Sequence, residues 1–327
     1  MVRGFIPDGL RSSPKPCESN IPDKPCQMFL GLLCNPSGIN PLTTSVQLRF
    51  RFAHSPCKTR QWRLFFHPIV TWALGGKASM DKVIVITGGG RGIGAATALL
   101  AAEQGYRICI NYQSDEQAAQ SVLEQVRALG AQAITVRADV SIEDEVVAMF
   151  HRVDTELGRV TALVNNAGTV GHKSRVDEMS EFRILKIMKT NVLAPILCAK
   201  HAILRMSPKH GGQGGSIVNV SSVASRLGSP NEYVDYAASK GALDSFTIGL
   251  SKEVAGEGIR VNAVRPGFIY TDFHALSGDP DRVSKLESAI PMARGGRPDE
   301  VAEAIVWLLS DKASYATGTF VDLGGGR

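Results

Sequence analysis

The chain has 327 residues, which at roughly 150 residues per domain allows one large domain or two ordinary ones. Its composition, 44% hydrophobic and 20% charged, is that of a globular chain, and no apolar run nears the ~18 residues of a membrane span. The net charge of +5 gives no nucleic-acid footprint, because ten of 36 Lys and Arg but three of 31 Asp and Glu lie in residues 1–79, leaving 26 basic and 28 acidic residues beyond.

Residues 1–79 are rich in Pro, Arg, Ser and Cys and sustain neither a helical nor an alternating period. Patches such as 28–33 and 64–66 are too short to build a core, so the segment is expected to hold little stable structure. It lacks the ordered charged start, apolar centre and cleavage site of a targeting peptide. It reads as a disordered extension or a gene-start artefact ahead of a natural start at Met80; the competing reading is a partner-binding module. Cys17, Cys26, Cys34 and Cys57 lack Cys-x-x-Cys spacing, so no metal site is expected. Cys109 and Cys198 sit singly in apolar contexts, as buried small hydrophobes of a reducing, cytoplasmic compartment do.

After Met80, strand and helix signals alternate. Apolar β-branched runs fall at 83–87, 107–111, 133–137, 162–164, 216–220, 259–264 and 319–321, with amphipathic stretches of helical length at 94–104, 116–129 and 144–157 among the intervals. Continuous apolar strands separated by helices predict an α/β fold with a doubly wound parallel sheet, in one domain over residues 80–327.

The first strand runs into Thr87-Gly88-Gly89-Gly90-Arg91-Gly92-Ile93-Gly94 and then at once into a helical stretch. Glycines there let the backbone turn sharply, approach a pyrophosphate and open a helix whose N-terminal N–H groups attract anions, so the turn predicts a dinucleotide site. Further on, Tyr236 and Lys240 stand four apart in a stretch of good helical propensity, which puts both on one face. Ser222 ends an apolar strand at the carboxyl edge of the sheet, with Ser221 as the competing hydroxyl.

The spacing TGxxxGxG over Gly88, Gly92 and Gly94, followed in order by Asp139-Val140, Asn165-Asn166-Ala167-Gly168, Asn191, Ser222, Tyr236-x-x-x-Lys240, Pro266-Gly267 and Thr271, resembles the short-chain dehydrogenase/reductase family over essentially all of residues 81–327. The resemblance implies a Rossmann fold and an NAD(P)-dependent oxidoreductase that interconverts a carbonyl and a secondary alcohol. Carried over residue by residue, it makes Tyr236 the general acid/base, Lys240 its activator and ribose ligand, Ser222 the donor to the substrate oxygen and Asn191 the holder of a relay water. The family's serine lies about a dozen residues before the tyrosine, which fits Ser222 better than Ser221. The glycine turn (Thr87, Gly88, Gly90, Arg91, Gly92, Ile93, Gly94) would cradle the pyrophosphate, Asp139 and Val140 would meet adenine, and Asn165, Ala167 and Gly168 would line the ribose side. Pro266, Gly267, Ile269 and Thr271 would hold the nicotinamide end.

The chemistry fits this assignment. A tyrosine titrating near 10 needs about 1.4 kcal/mol of preferential phenolate stabilisation per unit of depression, and the Lys240 ammonium with a positive nicotinamide ring is expected to supply it. Tyr233, with Ala237 at its own +4 position, is rejected as the acid. The second strand ends at Asn111-Tyr112 with no carboxylate to repel a 2′-phosphate, and Arg91 could pair with one; NADP(H) is favoured, while Asp115 leaves NAD(H) or dual use open.

Substrate choice is assigned to the irregular stretches 169–181 and 268–290, the second resembling a mobile lid, with His274 a candidate contact. The wording of several segments resembles bacterial glucose 1-dehydrogenase-like and 3-oxoacyl-carrier-protein-reductase-like members, which implies a small polar ketone, sugar or 3-oxoacyl-type substrate. Family members are homotetramers or homodimers, and the apolar faces of 192–204 and 242–250 allow this. A cofactor-binding sensor without turnover is the alternative; such proteins lose the tyrosine or the lysine, and both are present.

Overall fold

The computed structural model describes residues 82–327; the expectations for residues 1–79, with their four cysteines and a start at Met80, lie outside the described residues. Strand β1 (Val83–Ile86) is four consecutive aliphatic residues, all fully buried, as a strand covered on both faces requires. Its side chains alternate between two cores. Val83 and Val85 join one with Met149 and Phe150, and Ile84 and Ile86 join the other with Ala98, Val122 and Ile305.

The chain continues through α1 (Gly92–Glu103), β2 (Arg107–Tyr112), α2 (Glu116–Ala128), β3 (Ala133–Arg137), α3 (Glu143–Glu156) and β4 (Ala162–Asn165). Then follow α4 (Glu181–Met188), a π turn (Lys189–Leu193), α5 (Ala194–Met206), β5 (Gly215–Val220), α6 (Ala224–Leu227), α7 (Val234–Val254), β6 (Ile259–Pro266), α8 (Arg282–Leu286), α9 (Pro298–Leu309) and β7 (Phe320–Leu323). The seven strands form one sheet in the order β3-β2-β1-β4-β5-β6-β7, with every neighbouring pair parallel. The chain builds outward from β1 to β3 and then returns to lay β4 against the other side of β1. That reversal leaves a crevice at the carboxyl ends of β1 and β4. Helices α3, α5 and α7 pack on one face and α1, α2 and α9 on the other, the doubly wound Rossmann arrangement expected.

Local chemistry sets several boundaries. Asp115 caps α2 by accepting the Ala118 N–H at 3.0 Å, with Glu116 in the first turn and Arg127 in the last complementing the helix dipole. The sixth strand runs two residues past its expected end. Pro266 is tolerated there because it closes the strand and its carbonyl accepts the Val223 N–H at 3.1 Å. The seventh strand is displaced from the expected 319–321 to Phe320–Leu323, where it pairs only with β6 as an edge.

The run Glu181–Met206 passes, by length and apolarity, as a membrane-crossing helix, but half of its most apolar window is buried in the domain, as in a core helix. The continuous apolar length arises because a π turn joins α4 to α5 without a break. Cys109 and Cys198 are fully buried, and desolvation pushes both thiols up to about 12, which keeps them protonated.

Phe150 is among the largest fully buried side chains and contacts the first core. Phe150→Ala should cost about 3–5 kcal/mol through lost burial and a residual cavity, read as a lower urea midpoint at unchanged slope.

Candidate active site

At the crevice, the turn after β1 is held by side chains from both neighbouring strands. The Asn166 Nδ2 donates to the carbonyls of Thr87 and Gly88, each at 2.9 Å, while the Thr87 Oγ1 accepts the Asn166 and Ala167 N–H groups at 3.0 Å each. From β2, the Asn111 Oδ1 accepts the Gly88 N–H at 3.3 Å and its Nδ2 donates to Ala138 O at 3.0 Å. Gly88 takes φ +62°, and a Cβ on Gly94 would lie 2.4 Å from Gly88 O, so neither position admits a side chain without rebuilding the turn. Helix α1 then starts with no side-chain cap at Arg91 and no acid in its first turn. Its N-terminal N–H groups and positive dipole end are left for an anion, which is the fit a pyrophosphate requires.

A cavity of about 1290 Å³ extends from this turn to both sides. That is ample for a dinucleotide with a small substrate, against roughly 300–1,000 Å³ for ordinary ligand pockets. Of the expected cofactor residues, Gly88, Gly90, Arg91, Ile93, Asn111, Asp139, Val140, Ala167 and Gly168 line it. So do Pro266, Gly267, Ile269 and Thr271 at the other end, together with Ser222, Tyr236 and Lys240.

Not every expected residue reaches the cavity surface. Thr87, Gly92, Gly94, Asn165 and Asn191 do not line the cavity. Thr87 and Gly94 shape the turn from behind. Asn165 ends β4 with its side chain turned into the core, where Nδ2 donates to Asn219 Oδ1 at 2.9 Å; strand alternation brings its neighbour Asn166 to the crevice instead. Asn191 lies buried in the π turn, its amide spent on both backbone groups of Thr169 and on the Ser239 hydroxyl. Asn111 touches the cavity, but its amide is committed to backbone groups, and β2 reaches Tyr112, so Tyr112, Gln113, Ser114 and Asp115 form the wall there. Asn166, in the same Asn-Asn-Ala-Gly run, lines the cavity without being among the residues expected there.

Tyr236, Lys240 and Ser222 converge from two elements. Tyr236 and Lys240 lie on one face of α7, with the Lys240 Nζ 5.7 Å from the Tyr236 ring centroid and donating to Val220 O at 2.8 Å. Ser222, just beyond β5, donates its hydroxyl to Pro266 O at 3.4 Å and accepts the Ala224 N–H at 3.1 Å, near enough to Tyr236 to pull its phenol down. Ser221 faces the other way, donating to Lys240 O at 3.3 Å. Burial pushes the Tyr236 phenol up to about 12, against a smaller downward pull from Ser222. Burial also pushes the Lys240 ammonium down to about 8, opposed by the Asp244 carboxylate one turn on. Among the protein's own groups desolvation sets the direction of the Tyr236 shift, whereas the expected depression draws also on the positive nicotinamide ring.

Beyond Tyr236 the cavity is bounded by Tyr233, Phe268, Phe273 and Arg282, with the Arg282 guanidinium 5.0 Å from the Tyr233 ring centroid. The expected lid carries a 3₁₀ segment at Asp272–Ser277 and then α8; the His274 side chain lies outside the described ones. Among the described residues, no group of three or more His, Cys, Asp or Glu is placed to hold a metal ion.

A family model described as enoyl-(acyl carrier protein) reductase, of the short-chain dehydrogenase/reductase class, matches residues 88–327. The chain is 56% identical over 245 residues to the Escherichia coli (strain K12) uncharacterized oxidoreductase YgfF, covering 75% of this chain and 99% of that protein. It is 35% identical over 247 residues to the Staphylococcus aureus (strain Mu50) 3-oxoacyl-[acyl-carrier-protein] reductase FabG, covering 76% and 98%. The crystal structure of a short-chain type dehydrogenase/reductase from Mycobacterium marinum superposes with a TM-score of 0.70 at 32% identity, covering 75% and 94%.

The buried lysine gives a pH signature. With Lys240 at about 8 in the fold against 10.5 as its ordinary value, the unfolded chain holds the proton more tightly. The resulting destabilisation is complete below pH 8 and is lost as the pH rises from 8 toward 10.5. The stability of Lys240→Met relative to the native chain should accordingly decline by on the order of 3 kcal/mol across that window, measured by urea unfolding at each pH.

Proposed function

Because the chain belongs to the short-chain dehydrogenase/reductase family and is an NAD(P)-dependent oxidoreductase, we propose that it reduces the carbonyl of a small polar ketone or 3-oxoacyl-type compound, with NADP(H) as cofactor and Tyr236 as the acid. One observation carries the reading: Tyr236 lines the same cavity as the glycine turn, together with Ser222 and with Lys240, whose ammonium lies 5.7 Å from the Tyr236 ring centroid.

The nicotinamide cofactor supplies the hydride when bound. Gly88, Gly90, Arg91 and the open N-terminus of α1 would hold its pyrophosphate, and Pro266, Gly267, Ile269 and Thr271 its nicotinamide end. The Ser222 hydroxyl would donate to the substrate oxygen as negative charge develops there, and Tyr236 would give that oxygen a proton. A phenol held at about 12 is protonated at neutral pH and so stands ready in the reductive direction. Oxidation of an alcohol requires the phenolate and hence the added positive charge of an oxidised nicotinamide. Lys240 keeps a cation near the phenol and would also bind the nicotinamide ribose. Asn191, though outside the cavity, would serve by fixing Thr169 and Ser239 on either side of Lys240.

Preference for NADP(H) is supported by the exposed Arg91 at the rim and by the use of Asp115 as the cap of α2, which leaves Arg91 the better partner for a 2′-phosphate. The working unit is proposed as residues 80–327, acting in the cytoplasm as a homodimer or homotetramer. Exposed Phe182 and Leu185 on α4, Leu193 at the end of the π turn, Ile196 in the first turn of α5, and Ile248 on α7 support that association.

Nicotinamide absorbance with ketones, 3-oxoacyl thioesters and, in reverse, aldoses tests the proposal. Turnover should favour NADPH over NADH by at least about tenfold in kcat/KM, and Arg91→Ala should remove most of that preference. Tyr236→Phe should abolish nearly all turnover while cofactor affinity is retained. Cofactor binding without turnover of any substrate would instead support a sensor, and an active Tyr236→Phe would refute the assignment of the acid.

A further inference from the structure

Immediately beside Tyr236 lies an ion pair that the proton-transfer chemistry leaves unexplained. Arg183, in the first turn of α4, donates through Nε to the Asp235 Oδ2 at 2.7 Å and through Nη2 to Oδ1 at 3.2 Å. The fork is well shielded, with side chains 15% and 4% exposed. The third arm, Nη1, donates to His172 O at 2.5 Å, in the loop that follows β4. Asp235 Oδ1 also accepts the Tyr236 N–H at 2.9 Å. That N–H belongs to the first turn of α7, where backbone donors lack intrahelical partners. Gly171 makes room for the arrangement, since a Cβ there would lie 2.6 Å from the Arg183 Nε.

One guanidinium and one carboxylate thus join three pieces of the cleft: the loop after β4, the start of α4 and the backbone of Tyr236. Stability is a poor reason for such a pair, because two charges removed from water repay their desolvation only partly, and apolar replacement of both is often neutral or favourable. Geometry is the better reason. A bidentate fork fixes both distance and angle, and the carboxylate it fixes holds the peptide from which the tyrosine side chain is aimed.

We propose that Arg183 and Asp235 are positioning residues that hold the Tyr236 hydroxyl in register with the loop after β4, whose Thr169 and Val170 line the cavity; this rests on the reading of Tyr236 as the acid. Loss of the clamp lets the tyrosine and the loop shift relative to each other, and a displacement near 1 Å at a reacting group is enough for a rate loss of about 100-fold.

The test compares Arg183→Met, Asp235→Leu, the double variant and Arg183→Lys in the full chain. The measurements are melting temperature, NADPH affinity by calorimetry, and kcat and KM with a ketone that the native chain reduces. Each single apolar variant should melt lower, because it strands a buried charge. The double variant should regain most of that stability, bind NADPH within about twofold of the native chain, and still show kcat reduced roughly 10- to 100-fold. Arg183→Lys, which keeps the charge but not the fork, should retain an intermediate kcat. A double variant with native kcat overturns the proposal, as does a kcat loss matched by an equal loss of NADPH affinity. If the single variants fail to fold, native kcat in Arg183→Lys overturns it as well. Turnover by Tyr236→Phe would refute the acid assignment itself, whereas an inactive Tyr236→Phe beside a fully active double variant removes only the clamp.

Discussion

The cleft depends on the fastening of β1 to β4 at their carboxyl ends. The Thr87 hydroxyl and the Asn166 side-chain amide make four hydrogen bonds across that junction, the first accepting the Asn166 and Ala167 N–H groups and the second donating to the Thr87 and Gly88 carbonyls. Because the carbonyls and N–H groups of both turns are satisfied this way, the turns need no sheet partners of their own. They can diverge, the first toward α1 and the second toward the loop beside Tyr236. The crevice between them is the place where the strand order reverses, so the lock is also what opens the site. Asn111 repeats the device from β2, tying the same turn to the end of β3.

Against this rigid floor, the chemistry is set by how much water is excluded. Burial moves Tyr236 upward and Lys240 downward, each toward its neutral form, while Ser222 and Asp244 oppose the two shifts. Near neutral pH the phenol therefore holds its proton while the lysine remains largely cationic.

The substrate side has a different character. Glu232 pairs with Lys173 from the loop after β4 and with Arg282 from α8, so the two segments that bound the substrate end are linked through one carboxylate just ahead of Tyr236. Arg282 also lies over the Tyr233 and Phe268 rings, so charge and aromatic packing act together there.

The sequence by itself determined the sheet, the glycine turn and the Tyr-Lys pair, because each depends on neighbours close along the chain. Strand β3 falls on its expected residues, since a β-branched run bounded by polar turns needs no distant information. Tyr236 and Lys240 share a face by helical spacing alone. Only the tertiary structure decided which side chains reach the cavity. Asn165 and Asn166 are alike in type and adjacent, and strand parity sends the first into the core and the second to the crevice. Asn191 is drawn out of the cavity by Thr169 and Ser239, which are 22 and 48 residues away. Arg183 and Asp235 carry no shared local signal at all, since they meet across 52 residues through the packing of α4 on α7. Periodicity, propensity and turn chemistry act over a few residues and can be read from the chain, whereas desolvation and long-range pairing exist only once distant elements have closed around the same space.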